Sequence, residues 1–222
     1  MSMVIVIQAI STNASNGIYA GFTLDSSGNS RIVDESAVDS AIYLPAVGVT
    51  TISENAYISG AQGIRFCAGE LTITGGTIVG TDVSDEEDLI AGGSGGTKGA
   101  IVIGKAGGGY VGDVTVNISG TAEVVNTAKG TADDTRPAIV VSDKNMGDES
   151  KGYDKLSISV NVDGATITGD VVKVSNLSGD NTKDGGNTSL MIQNTTVEGD
   201  VTNQSKTGVT ILDSTVNGTV RA

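Results

Sequence analysis

Histidine and tryptophan are absent from this chain, and cysteine, proline and aromatic residues are scarce. Its 222 residues include one Cys, two Pro and 3% aromatic residues. A single Cys excludes an internal disulfide, and the absence of His excludes a Cys–His catalytic pair. Cys67 lies in a strand-like run and is predicted to be a buried structural thiol. The apolar residues are mainly Val, Ile, Leu and Ala, which favours stacked β-strands as the core.

Positive charge is also in short supply, since 13 Lys and Arg face 26 Asp and Glu and the net charge is −13. The electrostatic field of this negative charge opposes binding to nucleic acid or to an anionic membrane. No segment reaches the roughly 18 apolar residues of a membrane span. Met3–Ile10 is apolar but lacks the basic flank and cleavage motif of a signal peptide, so any targeting segment is expected to be absent from this chain.

A repeat dominates the C-terminal part of the chain. The stretch MIQNTTVEGDV, ending at Val201, is followed nineteen positions later by TILDSTVNGTV, ending at Val220. An earlier copy ends at Val171, thirty positions before Val201, because Ser178–Asn187 is inserted between the two. A period near twenty built of short β-rich pieces is typical of a solenoid.

The repeat predicts three short strands per coil and about six coils over residues 48–222, preceded by an N-terminal cap or irregular first coil over residues 1–47. Alternation within the strands predicts two buried aliphatic ladders. One consists of Ile73, Ile118, Val162, Ile192 and Ile211, and the other of Ile78, Val124, Ile167, Val197 and Val216. Glycines recur at sharp corners, where a positive φ is predicted for Gly60, Gly80, Gly169, Gly199 and Gly218.

The stretches LTITGGTIVG (Leu71–Gly80) and VNVDGATITGDV (Val160–Val171) carry a family resemblance. They resemble the Gly/Thr/Val-rich repeats of bacterial surface proteins within the right-handed parallel β-helix, or pectin-lyase-like, superfamily. The resemblance covers about Val49 to Val220 and implies an all-β, single-chain, right-handed parallel β-helix. That fold carries lyases, hydrolases, adhesins and phage fibres, so the resemblance implies an architecture and several functions.

Insertions interrupt the repeat at two corners only. One corner carries Thr81–Lys98 and Thr127–Arg136. The other carries Lys105–Gly112, Ser142–Lys155, Asn176–Asn187 and Gln204–Thr207, which are predicted to stack into one wall of loops. Binding sites favour loops on a rigid scaffold. The candidate ligand-binding residues in this wall are Tyr110, Asp143, Asn145, Tyr153, Asp180 and Asn181.

The segment DNTKDG (Asp180–Gly185) has the oxygen spacing of a calcium loop. Asp180, Thr182 and Asp184 hold its first, third and fifth positions, and Gly follows at the sixth. The twelfth position is Met191 rather than Glu. The stretch therefore favours a solvated turn, with Ca²⁺ as the alternative and no other cofactor.

Catalytic motifs of the resembling family are incomplete in this chain. Polygalacturonase-like members carry Asn-Thr-Asp, Asp-Asp, Gly-His-Gly and Arg-Ile-Lys motifs, of which only Asp133-Asp134 has a counterpart. Arg136-Pro137 only faintly resembles the Arg-x-Pro-x-x-Arg motif of pectate-lyase-like members, and no second Arg follows. These departures favour a non-enzymatic function.

The sequence thus predicts a secreted or cell-surface β-helix module, a stalk or adhesin whose loops bind a glycan or a surface protein. One alternative is a polysaccharide lyase or glycoside hydrolase. The other is a phage fibre or decoration protein located in a virion. Val216–Val220 is full repeat sequence with no cap, so a continuation of the solenoid or another copy of the chain is expected to cover that end.

Overall fold

The computed structural model describes residues 10–11, 23–24, 30–35, 40–45, 47–81, 99–104, 112–126, 137–175 and 185–222. Within these ranges the chain is almost entirely β-strand, with two short 3₁₀ helices at Glu149–Lys151 and Tyr153–Lys155. None of the helices in these ranges is long and apolar enough to cross a membrane.

The described strands form three parallel sheets, named sheet A, sheet B and sheet C. Sheet A contains β1 (Ile10–Ser11), β4 (Ser40–Leu44), β7 (Gln62–Phe66), β10 (Ile101–Ile103), β13 (Pro137–Ser142), β16 (Asp170–Val174), β19 (Val201–Gln204) and β22 (Val220–Arg221). Sheet B contains β2 (Thr23–Leu24), β5 (Val49–Ile52), β8 (Gly69–Ile73), β11 (Val114–Ser119), β14 (Ser157–Asp163), β17 (Asn187–Gln193) and β20 (Val209–Leu212). Sheet C contains β3 (Arg31–Val33), β6 (Tyr57–Gly60), β9 (Thr77–Gly80), β12 (Glu123–Asn126), β15 (Thr166–Thr168), β18 (Thr196–Glu198) and β21 (Thr215–Val216).

The chain passes from sheet B to sheet C to sheet A once per coil, and every strand pairs in parallel with its counterpart in the next coil. This arrangement confirms the parallel β-helix and its three strands per coil. β2, β3 and β4 already pair with β5, β6 and β7, so a coil precedes residue 48. Most of residues 1–47, where the N-terminal cap or irregular first coil is expected, lie outside the described residues.

The two predicted aliphatic ladders are confirmed by the strand register. In sheet B, Ile118 pairs with both Ile73 and Val162, and the ladder continues through Ile192 to Ile211. In sheet C, the second predicted ladder follows the same scheme from Ile78 to Val216. Their side chains form one continuous buried core along the helix axis, except that the last members, Ile211 and Val216, are half-buried and pack against it. Cys67 is buried as predicted. Burying each Val or Ile stabilises the fold by roughly 1.5–3 kcal/mol.

The prediction of positive φ at the five repeated corner glycines is wrong for four of them. Only Gly169 lies in that region, at φ 119°. The other four are glycines because neighbouring backbone lies too close for a side chain. A Cβ at Gly199 would lie 2.5 Å from the Gly169 carbonyl oxygen, and a Cβ at Gly218 would lie 2.3 Å from that of Gly199. Likewise, Gly60 and Gly80 closely approach the backbone at Ala41 and Ala100.

Left-handed residues occur instead at the corner between sheets B and C. In three successive coils this corner is occupied by Gly164, Asn194 and Asp213, with φ of 77°, 50° and 45°. Gly, Asn and Asp are the residues that tolerate this conformation best. In these coils only two residues separate the sheet B strand from the sheet C strand, so this corner is tight and carries no insertion.

Candidate functional site

All four insertions predicted to form the loop wall leave sheet A and enter sheet B, at what we call the A–B corner. They connect β10 to β11, β13 to β14, β16 to β17 and β19 to β20. The two other insertions connect sheet C to sheet A. Within the wall, the structure describes residues 142–155 and 204–207 in full. Of the predicted site residues, Asp143, Asn145 and Tyr153 are described, whereas Tyr110, Asp180, Asn181, Thr182 and Asp184 lie outside the described residues.

The insertion after β13 packs side chains into the interior of the β-helix. Met146 is fully buried in the core, and Tyr153 is buried with the Lys151 ammonium 5.9 Å from its ring centre. Asp148 caps the first 3₁₀ helix by accepting a hydrogen bond from the Ser150 backbone N–H at 3.0 Å. Asn145 turns the chain with a φ of 63°. The insertion is therefore a fixed part of the corner.

Asp143 is fully buried at the A–B corner and is held by serines from the next two coils. Its Oδ1 accepts from the Ser175 hydroxyl at 2.7 Å, and its Oδ2 accepts a short hydrogen bond from the Ser205 hydroxyl. Asp143, Ser175 and Ser205 each directly follow a sheet A strand. The carboxylate thus ties three coils together.

Lys173 is a buried cation in the core ladder of sheet A. The register places it beside Val141, in the row that runs from Leu44 through Phe66 and Ile103. Its Nζ donates to the Thr188 carbonyl at 3.0 Å, the Thr207 hydroxyl at 2.5 Å and the Gly208 carbonyl at 2.9 Å. These three bonds use all three donors of the ammonium group.

A chain of hydroxyl groups links this cation to Asp143. The Thr207 Oγ1, which accepts from Lys173, lies 3.0 Å from the Ser205 Oγ, which in turn donates to Asp143. We call Asp143, Lys173, Ser175, Ser205 and Thr207 the corner network. Sequence analysis found Asp143 but missed Lys173. The available signal was the alternation in DVVKV, because an inward Val171 requires an inward Lys173.

The corner network is built for holding charge rather than for proton transfer to a ligand. Burial lowers the pKa of Lys173 to about 8, although the negative charge of Asp143 acts in the opposite direction. All three ammonium protons are directed at protein oxygens, and both Asp143 oxygens accept from serines. The arrangement therefore holds three successive coils together at the corner.

We expect Lys173 to make stability depend on pH in the alkaline range. In the folded protein its pKa is about 8, below the ordinary value of 10.5. Between these values the unfolded chain binds more protons, so the free energy of unfolding rises with pH. The free energy of unfolding is measured by urea denaturation for wild type and Lys173→Met at pH 7 and pH 10. Between these two pH values, the stability of wild type relative to Lys173→Met should increase by about 2–3 kcal/mol. A difference that stays constant or shifts the other way would contradict the assignment.

A groove of about 400 Å³ lies on the outer face of sheet B, directly beyond the A–B corner. It crosses β14, β17 and β20. Its lining consists of Ser159, Val160, Asn161, Thr188, Ser189, Leu190, Met191, Gly208 and Thr210. Thr188 and Gly208 are also the residues whose carbonyl oxygens hold the Lys173 ammonium, so the groove shares a wall with the corner network.

Two residues give the groove its shape and polarity. Gly208 precedes Val209, which pairs with Leu190, so it falls in line with Ser189 and Ser159 but has no side chain to fill the row. Asn161 pairs with Met191, and its Oδ1 is buried without a hydrogen-bond partner. Sequence analysis missed the groove because it depends on the register between three coils.

Among the described residues, no group of three or more Asp, Glu, His or Cys side chains is placed to hold a metal ion. The calcium prediction concerns Asp180, Thr182 and Asp184, which lie outside those residues.

Comparison of the chain with family models, with curated proteins and with solved structures gives no match. The assignment of a parallel β-helix rests on the strand pairing described above.

Proposed function

We propose that this chain is a non-catalytic β-helix module that presents the A–B corner and the adjoining face of sheet B to a glycan or to a surface protein. The module acts as a stalk or adhesin at the cell surface and belongs to the pectin-lyase-like superfamily. The observation that carries this proposal is that four insertions follow successive sheet A strands at one corner of a single core.

Rigidity supports the display function. Met146 and Tyr153 anchor one insertion in the protein interior, and the corner network ties its base to the two following coils. A binding surface that is already ordered loses less conformational entropy when its ligand binds. Presentation by a stiff rod needs no bond-making step, in keeping with the incomplete catalytic motifs.

The proposal is tested by measuring binding and product formation with the full chain. Immobilised protein is screened against glycans and bacterial or host surface proteins, and the same glycans are incubated with it in solution. We expect binding without lyase product at 235 nm and without new reducing ends. Product formation would instead establish the lyase or hydrolase alternative.

Exposed side chains at the corner provide a matched pair of variants. Glu149, Lys155 and Lys206 are exposed at the A–B corner, whereas Glu54 and Thr121 are exposed at the corner between sheets B and C. Replacing the first three by Ala should weaken binding about tenfold, equivalent to about 1.4 kcal/mol. Replacing the other two by Ala should leave it unchanged. Equal effects of the two sets would contradict presentation by the A–B corner.

A further inference from the structure

The groove on sheet B is open because one row of side chains is interrupted. Along this row, Ser159 and Ser189 are exposed on successive coils and Gly208 follows with no side chain. A Cβ added at Gly208 would meet no atom within 4 Å, so the opening is free space rather than a packing requirement. The interruption lies next to the A–B corner, where a ligand held by the loops would continue onto the sheet.

The groove is electrically unlike the rest of the chain. The protein carries a net charge of −13, yet every residue described as lining the groove is uncharged. The buried Lys173 ammonium lies behind Thr188 and Gly208, where it is hydrogen-bonded to three protein oxygens and has Asp143 as its counter-charge. An anionic ligand would meet the negative field of the whole molecule, and none of the described lining residues carries a positive charge to receive it, so the groove suits a neutral ligand.

The polar atoms of the groove favour a ligand rich in hydroxyl groups. Ser159, Ser189 and Thr210 present exposed hydroxyls that both donate and accept hydrogen bonds. Asn161 adds an acceptor, Oδ1, that has no partner. Met191 pairs with Asn161 and also with Thr210, so its thioether lies in the middle of the groove between polar neighbours. Methionine adapts its shape readily and offers an apolar surface for the C–H face of a sugar ring.

We propose that this groove binds an uncharged saccharide, laid across β14, β17 and β20 with its hydroxyls on the Ser and Thr side chains and a ring against Met191. Entry of the sugar displaces the Met191 side chain and brings a ligand hydroxyl to Asn161 Oδ1. This inference rests on the glycan-binding form of the proposed function and assigns the site and the ligand class.

Methionine methyl groups give a direct readout of this site. The full chain is labelled with methyl-¹³C methionine and titrated separately with neutral and uronic-acid oligosaccharides. Met191→Leu identifies the Met191 resonance, and the fully buried Met146 provides an internal reference. We expect neutral oligosaccharides to shift the Met191 methyl signal and leave Met146 in place. Preference for the uronic-acid series would overturn the assignment of ligand class.

Gly208→Tyr is the blocking variant, because its side chain projects into open groove space. It should weaken saccharide binding about tenfold or more and abolish the Met191 shift. Thr115→Tyr, in the same outward row of sheet B but outside the groove lining, is the matched control and should bind as wild type does. Circular dichroism melts confirm that both variants are folded.

The outcomes separate this inference from the proposed function. Saccharide binding that persists in Gly208→Tyr, with no Met191 shift in wild type, overturns the groove assignment. If the A–B corner substitutions still weaken that binding, the proposed function stands without it. Failure of every saccharide to bind overturns the groove assignment together with the glycan form of the proposed function, while binding to a surface protein would still support display.

Discussion

Replacing Gly199 by alanine should lower the free energy of unfolding by about 3 kcal/mol or more. Losses of this size are typical of substitutions that force backbone segments apart. The added Cβ would lie 2.5 Å from the Gly169 carbonyl oxygen and 2.6 Å from its carbonyl carbon. Neither is the end of a flexible side chain, so two coils must separate. Separation also lengthens the hydrogen bond from the Asp200 backbone N–H to Asp170 Oδ1, now 2.8 Å.

Gly208→Ala is the matched control for this prediction. Gly208 lies nine positions further along the chain, at the A–B corner, and its added Cβ would meet nothing within 4 Å. Because alanine restricts the unfolded chain, the change should be neutral or stabilising by about 0.4–1 kcal/mol. Urea denaturation monitored by circular dichroism measures both variants. Similar destabilisation by the two substitutions would show that contact between coils is not the reason for Gly199.

Removing the carboxylate of the corner network should have the second large effect. In Asp143→Ala, the Lys173 ammonium loses its counter-charge, and the Ser175 and Ser205 hydroxyls lose their acceptor. Each buried hydroxyl left without its acceptor typically costs about 1–3 kcal/mol, and the buried Lys173 charge adds to this loss because it is no longer compensated. The loss should be visible as a lower urea midpoint at pH 7.

A double-mutant cycle separates coupling from simple loss of contacts. Lys173→Met replaces the cation by an apolar side chain of similar length, suited to a row that already contains Val141 and Ile103. The double variant Asp143→Ala/Lys173→Met should be more stable than the sum of the single effects predicts, with a coupling energy of about 1–3 kcal/mol. Strict additivity would mean that the hydroxyl chain between the two groups does not connect them energetically.

The architecture could be predicted from the sequence because the repeat carries it directly. Ile73, Ile118 and Val162 occupy equivalent places in their strands, and the two-residue alternation of a strand fixes which side faces inward. The positions of the insertions follow from the same alignment. These features depend on local periodicity, so they remain predictable even though the number of residues per coil varies.

The corner glycines show where this reasoning stops. A glycine in a turn can reflect either a left-handed backbone or close approach of another segment, and the sequence does not distinguish them. Gly169 adopts a positive φ, while Gly199 and Gly218, in equivalent places, leave room for a neighbouring coil. Only the distance between coils decides the case.

The corner network and the groove needed knowledge of register across long insertions. Lys173 and Thr207 are 34 positions apart, and Asp143 and Ser205 are 62 positions apart, yet each pair is hydrogen-bonded. Lysine in a strand is ordinarily assigned to the solvent side, so Lys173 was overlooked despite the alternation of DVVKV. Gly208 gave no signal, because the absence of a side chain matters only once Ser189 lies beside it.

Parallel stacking also determines how the molecule should respond to a mechanical load. Each coil pairs only with the coil before it and the coil after it. Tension applied between the two ends would therefore peel windings away singly, and each release would lengthen the molecule by the contour of one winding. The hydrogen bonds of the Lys173 ammonium join three windings, so they would resist this stepwise unfolding near the C-terminal end.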